Sequence, residues 1–296
     1  MEDTDIVYKR RFGDRKEGRL LRSLNPFCKF IPYIMCKKND ACNQFEDSVE
    51  ITEVEKWFRE KRQEGWKGIG MLHLMIAAYV RTVSQCPGLN RFVSGQKIYA
   101  RNNIEVVMAV KKTLTADGDE TTIKIVFEPT DTVFDVYRKL NEKVDEIKAS
   151  DGDNGTEAAA AVLGKLPGLL LKFAIWFFNL LDYFGLLPKM LLDVSPFHGS
   201  MIITDLGSVG IPPIYHHLYN FGNLPLFIAF GAKRRVYELD KTGTPVERKY
   251  VDYKAVMDER IIDGLAYANA FKYLKYYMKN PAALEQPPET VVEDVF

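Results

Sequence analysis

Neither sign of charge is in excess: 40 Lys+Arg stand against 40 Asp+Glu in 296 residues. Bulk attraction to nucleic acid is therefore not indicated, and no nucleic-acid partner is expected. Cysteine and histidine are scarce, at four each. Cys28, Cys36, Cys42 and Cys86 show neither CxxC spacing nor a neighbouring histidine, so no metal site is expected and reduced thiols are. The first residues lack the apolar core of a secretory signal, which makes a reducing cytoplasm the expected location. Nowhere does an uncharged apolar run reach the roughly 18 residues that suggest a membrane-crossing helix. No internal repeat and no low-complexity linker divides the chain.

The length fits one large domain or two small ones, with ample material for a core. The basic run Lys9 to Arg22 (KRRFGDRKEGRLLR) is a solvated arm or a first helix. Glu53 to Arg62 is polar and helix-prone. Gly70 to Cys86 carries Leu72, Met75, Ile76, Tyr79, Val80 and Val83 at helical spacing and closes at Cys86-Pro87-Gly88. Ile104 to Lys111 and Thr121 to Phe127 are β-rich around a hairpin signal at Ala116–Asp119. Thr132 to Ile147 returns to helical spacing, and Ala149 to Glu157 is the clearest loop. Later strands are expected at Ser200–Thr204, Leu224–Phe230 and Glu247–Met257. Runs of strands with helices between them predict an α+β fold with a mixed sheet. The tail QPPETVVEDVF, after Pro281, reads as an exposed extension.

Leu163 to Val194 is nearly apolar but interrupted by charged and polar residues. Lys165, Lys172, Asn179 and Asp182 are expected along one narrow helical face, opposite a broad apolar one. Three fates are open for that segment: packing in the core or an oligomer, lying on a membrane surface as a peripheral helix, or forming an apolar substrate wall.

Several motifs follow in a familiar order. They are RKEGRLLRSLNPFCKFIPYIM, FEDSVEITEVEKWFREKR, a helix ending in CPGLNRFV, the strand IEVVMAVKK, then MIITDLGSVGI, PLFIAFGAKRR and DERIIDG. The chain resembles the catalytic domain of dihydrolipoamide acyltransferases of 2-oxoacid dehydrogenase complexes and the related chloramphenicol acetyltransferases, over about residues 15–277. That resemblance implies a chloramphenicol acetyltransferase-like, two-layer mixed-sheet fold over residues 1–281, with an apolar helical insertion at about 163–194 and a tail at 282–296. It also implies coenzyme A or acyl-CoA as a cofactor or substrate, and a homotrimer with sites between subunits. No lipoyl or partner-binding domain is recognised.

In that family the terminal motif reads Asp-His-Arg-x-x-Asp-Gly, and its histidine removes the thiol proton of coenzyme A or dihydrolipoamide. Here Asp258, Arg260, Asp263 and Gly264 match, but the base position is Glu259. Thr204 in MIITDLG matches the hydroxyl that steadies the oxyanion, and the resemblance implies a structural pair of Arg15 with Asp263. An ordinary glutamate has a pKa near 4.3 and a histidine one near 6.5, so deprotonating a thiol is about 3 kcal/mol harder for Glu. Burial in an apolar tunnel would recover part of that difference. Independently of any chemistry, Asp263 is placed to cap the helix that begins at Gly264, and Asp258, Glu259 and Arg260 to form a polar knot.

The histidines offer few substitutes. His73 in MLHLM reads as a satisfied core or boundary residue, and His216-His217 as a loop pair without an acidic partner at ligand spacing. His198 precedes the Thr204 strand and could approach a site from a neighbouring subunit. GSVG is no nucleophile elbow, which argues against a hydrolase triad. Three functions remain open: an acyltransferase-fold scaffold or ligand-binding subunit, an active acyltransferase using Glu259 or His198 as base, and a peripheral membrane protein.

Overall fold

The computed structural model describes residues 9–111, 120–149, 161 and 163–296. The turn expected at Ala116–Asp119 and most of the loop expected after Ala149 lie outside these residues. Its centre is a six-stranded mixed sheet built from β2 (Cys42–Glu50), β5 (Ile104–Lys111), β6 (Glu120–Phe127), β7 (Met201–Asp205), β8 (Leu226–Leu239) and β9 (Pro245–Asp258), in the order β2-β9-β8-β7-β5-β6. The β5–β7 and β7–β8 pairs are parallel and the others antiparallel. A small antiparallel sheet joins β1 (Gly18–Leu20), β4 (Lys97–Arg101) and β3 (Arg91–Ser94). The basic N-terminal run thus ends in a strand, not in a first helix, because Gly18 lets the backbone lie against β4. A Cβ there would stand 2.5 Å from the Ala100 carbonyl oxygen.

One face of the large sheet carries the core. Met201 and Ile203, Leu226, Ile228 and Phe230, and Tyr253, Ala255 and Met257 alternate into it, as the twofold strand period requires. Against them pack α2 (Thr52–Gln63), α3 (Met71–Gln85), α4 (Val133–Ala149) and, near the C-terminus, α7 (Gly264–Lys279). α3 is buried all round except at Leu72 and Gln85, which makes it the central helix. His73 is buried on it, with Nδ1 accepting from the Gly70 amide at 3.3 Å and burial lowering its pKa. The opposite sheet face holds a smaller cluster of Phe227, Val256 and Leu218 beneath the loop after β7.

Between α4 and β7 the chain forms α5 (Gly168–Phe184) and α6 (Lys189–Val194), the expected apolar insertion. No residue of α5 is buried. Leu169, Phe173, Trp176 and Phe184 are each more than half exposed. The polar face expected along this helix is split: Lys172 and Asn179 are exposed, whereas the Asp182 carboxylate turns inward to His198. α5 ends at Gly185, whose φ of +71° is left-handed.

The C-terminal residues are not a free extension, although most of their side chains are exposed. The Val292 amide donates to the Ser84 carbonyl at 2.8 Å, and Asp294, only 7% exposed, takes both Nε and Nη2 of Arg91. Arg19 donates to the carbonyls of Asp294 and Val295 at 2.6 and 2.7 Å. A buried acid matched to an arginine fork fixes this segment where composition alone suggested solvent.

Candidate active site

β9 leaves the sheet at Asp258 and passes through a single 3-10 turn, Glu259–Ile261, before α7. Asp258 and Arg260 are buried at 1% and 6% exposure and pair side by side, Nε to Oδ1 at 2.8 Å and Nη2 to Oδ2 at 2.7 Å. The remaining guanidinium nitrogen, Nη1, donates to the Met35 carbonyl at 2.8 Å, so the arginine is fully engaged. A buried ion pair survives desolvation only with such complete pairing. Glu259 stays outside this knot. It is half-buried, and among the described residues its carboxylate takes part in no hydrogen bond or ion pair. Asp263 accepts from the amides of Leu265 and Ala266 at 3.0 and 2.9 Å, closing the N-terminus of α7.

Glu259 lines an open pocket of about 530 Å³ together with Cys28, Met35, Arg91, Ile262 and Tyr267. Its walls are mainly apolar, and its two guanidinium groups are already held by carboxylates, Arg91 by Asp294 and Arg260 by Asp258. The pocket therefore suits an uncharged arm ending in a small polar group better than a phosphate.

Thr204 lies elsewhere in the chain. It pairs with Ala229 on β8, which pairs with Lys254 on β9. Lys254 precedes Asp258 by four positions, about 13 Å along an extended strand, and β7 is two strands away from β9. Thr204 and Glu259 of one chain cannot reach the same atom. Beside Thr204, Asp205 accepts from the Ser208 amide at 2.9 Å, and burial pushes its carboxyl pKa up.

Arg15 and Asp263 form no ion pair. Arg15 donates to the Tyr183 carbonyl at 2.5 Å and lies over the Tyr99 ring, while Asp263 is occupied as the helix cap. Gly185 makes that placement possible: a Cβ there would lie 1.8 Å from an Arg15 nitrogen. His198 is 1% exposed, in the loop between α6 and β7. Its Nδ1 shares a hydrogen bond with Ser195 Oγ at 2.8 Å, and Asp182 Oδ1 lies 3.6 Å from its Nε2. It lines a cavity with no residue in common with the Glu259 pocket. His216 stacks on Phe227 with ring centres 4.2 Å apart, and burial lowers its pKa.

Sequence reasoning missed several buried polar groups, of which Lys38 lies near the Asp258–Arg260 pair. Lys38 is 5% exposed, and its ammonium donates to the Gly222 carbonyl at 2.7 Å. Burial lowers its pKa to about 8 in spite of the nearby Asp258. Lys124 is likewise lowered to about 8 by burial, with Glu105 3.8 Å away opposing the shift. Arg101 donates to Asn223 at 2.7 Å, and Asn223 to Glu17 at 3.1 Å. Lys38 sits in CKKNDAC, which has no periodicity to mark it. Only the long-range approach of the 222–224 segment buries it.

With this geometry in view, the fold is that of dihydrolipoamide acetyltransferase cores. A probable dihydrolipoamide acetyltransferase from Listeria monocytogenes superposes with a TM-score of 0.56 at 15% identity, over 87% of this chain and 93% of that one. The Azotobacter vinelandii dihydrolipoamide acetyltransferase gives 0.54 at 14% identity, over 96% and 98%. The cubic core of a pyruvate dehydrogenase multienzyme complex gives 0.50 at 16% identity, over 96% and 98%. No family model matches the sequence, and no curated protein matches it either. The expected mixed α+β acyltransferase fold is present. No helix among the described residues is long and apolar enough to cross a membrane.

Proposed function

We propose that this chain is an acyltransferase-fold protein that has given up histidine-dependent acyl transfer and serves as a ligand-binding or scaffold subunit. The observation that carries this reading is Glu259: an unpaired carboxylate lines the pocket at the position where the resemblance expects an imidazole. Its ligand is the thiol-bearing arm of coenzyme A or an acyl-CoA, which suits a mainly apolar pocket whose two guanidinium groups are already paired. The phosphates of such a ligand would stay outside it. Assembly as a homotrimer is supported by the separation of Thr204 from Glu259, since only a neighbouring copy could bring a Thr204 to this pocket. One structural neighbour forms a cubic core, and its fold is shared here.

Acetyl transfer by the wild type tests the reading, since robust turnover would contradict it; Glu259→His then shows what besides the base has been lost. Gain of acetyl transfer from acetyl-CoA to a dithiol would mean that only the base has been lost. No gain would mean that the oxyanion geometry has decayed as well, and either result is compatible with a wild type that does not turn over.

A second reading keeps the protein an active acyltransferase, with Glu259 as base and Thr204 of a neighbouring copy at the oxyanion. It is favoured by the openness of the Glu259 pocket, which gives a thiol access to the carboxylate. His198, almost wholly buried beside a separate pocket, is the weaker choice of base. A peripheral membrane role rests on the exposed Phe173, Trp176 and Phe177 of α5. Liposome co-sedimentation that disappears when these three become polar supports it, and no sedimentation of the wild type eliminates it.

A further inference from the structure

The insertion does more than present an apolar outer surface. Its inner side, with the Ser195–His198 loop and the segment Tyr219–Phe221, lines a second, half-open pocket of about 430 Å³. Leu163, Ile175, Phe178, Leu191, Phe197 and Phe221 supply its hydrocarbon lining. The volume is about three times the roughly 150 Å³ apolar cavity that stays dry and admits benzene, and it falls in the ordinary range for ligand pockets.

One residue of the lining, His198, is polar in a specific way. His198 is almost wholly buried, and its Nδ1 is engaged by Ser195 Oγ at 2.8 Å. Its Nε2 has no hydrogen-bond partner, although Asp182 Oδ1 lies 3.6 Å away. A buried nitrogen without a partner is costly unless something meets it. A ligand carboxylate that met this nitrogen would be set near Asp182, and like charges at such range repel. A hydroxyl or carbonyl oxygen would meet the imidazole without that repulsion.

We propose that this pocket is a binding site for an uncharged aliphatic chain of at least roughly ten carbons, scaling from benzene's six in the smaller cavity setting an upper length of about seventeen. A fatty alcohol or the acyl chain of an ester, amide or thioester fits, with its oxygen at His198. No bond is made or broken in the site. The assignment does not depend on the Glu259 reading, because the two cavities share no lining residue.

The test is calorimetric titration of the full chain with 1-decanol and, separately, with sodium decanoate at pH 7.5. The expected result is saturable binding of one decanol per chain, with decanoate at least tenfold weaker. Ile175→Trp, which fills the cavity, weakens decanol binding at least tenfold, and Leu191→Phe does the same if the first variant fails to fold. Phe173→Ser, on the exposed side of α5, leaves binding within twofold. No saturable binding by the wild type overturns the proposal, as does binding that survives both filling variants or is lost in Phe173→Ser. Equal affinity for decanoate overturns the assignment of an uncharged polar end.

Discussion

Replacing Arg260 by methionine removes one member of the buried pair and leaves Asp258 as an acid with almost no exposure. The geometry sets the magnitude. Two side-chain hydrogen bonds of 2.7 and 2.8 Å and the bond to the Met35 carbonyl disappear together. Breaking a buried pair from one side costs about 3–5 kcal/mol, mostly from the uncompensated charge left behind. Lys38, close enough to act on the same carboxylate, softens this, so the lower end of that range is expected. In a chain of this size such a loss lowers Tm by on the order of 10 °C. Urea unfolding of the wild type, Arg260→Met, Asp258→Leu and the double variant would measure it. The double variant should recover a large part of the single losses, giving a coupling energy above about 2 kcal/mol. A single-variant cost below about 1 kcal/mol, or additive losses, would refute the claim that this pair organises the turn.

The same structure has other consequences. Lys38 has a folded pKa near 8, below its unfolded value of about 10.4, so between these limits the unfolded chain binds more protons and stability rises with pH. The advantage of Lys38→Met over wild type should therefore shrink by about 1–2 kcal/mol from pH 8 to 9.5 in urea titrations, and a constant difference would contradict the burial argument. Asp263→Ala should cost about 1 kcal/mol through loss of the α7 cap, read as a lower urea midpoint without a change of slope. Gly185→Ala should lower Tm and displace Arg15 from Tyr183, seen as faster amide exchange along α5; an unchanged exchange pattern would rule this out.

Much of the scaffold could be read from residue spacing. The period of α3 and the alternation of β5 and β6 gave their limits to within a residue or two, because each buries a regular face. β8 runs well beyond the expected Phe230 to Leu239, since past the bulge between Phe230 and Lys233 it forms an exposed ribbon with β9 and needs no apolar face. Asp263 was legible as a cap because capping is local. Lys38, Asn223 and Arg101 were not, because chain segments far apart in sequence come together to bury them. The motif order led to the fold, and it singled out Glu259, whose role is proposed above. It did not reveal that Arg15 turns to Tyr183, a contact made by the insertion, nor that the tail is held by Arg91.

The most direct test compares thioester cleavage and acetyl transfer by the wild type with those of Glu259→Gln, using acetyl-CoA, a dithiol acceptor and thiol release as the readout. Loss of the proton acceptor predicts that both proteins stay at the uncatalysed rate and bind coenzyme A alike. Robust turnover by the wild type that falls at least tenfold in Glu259→Gln would contradict it.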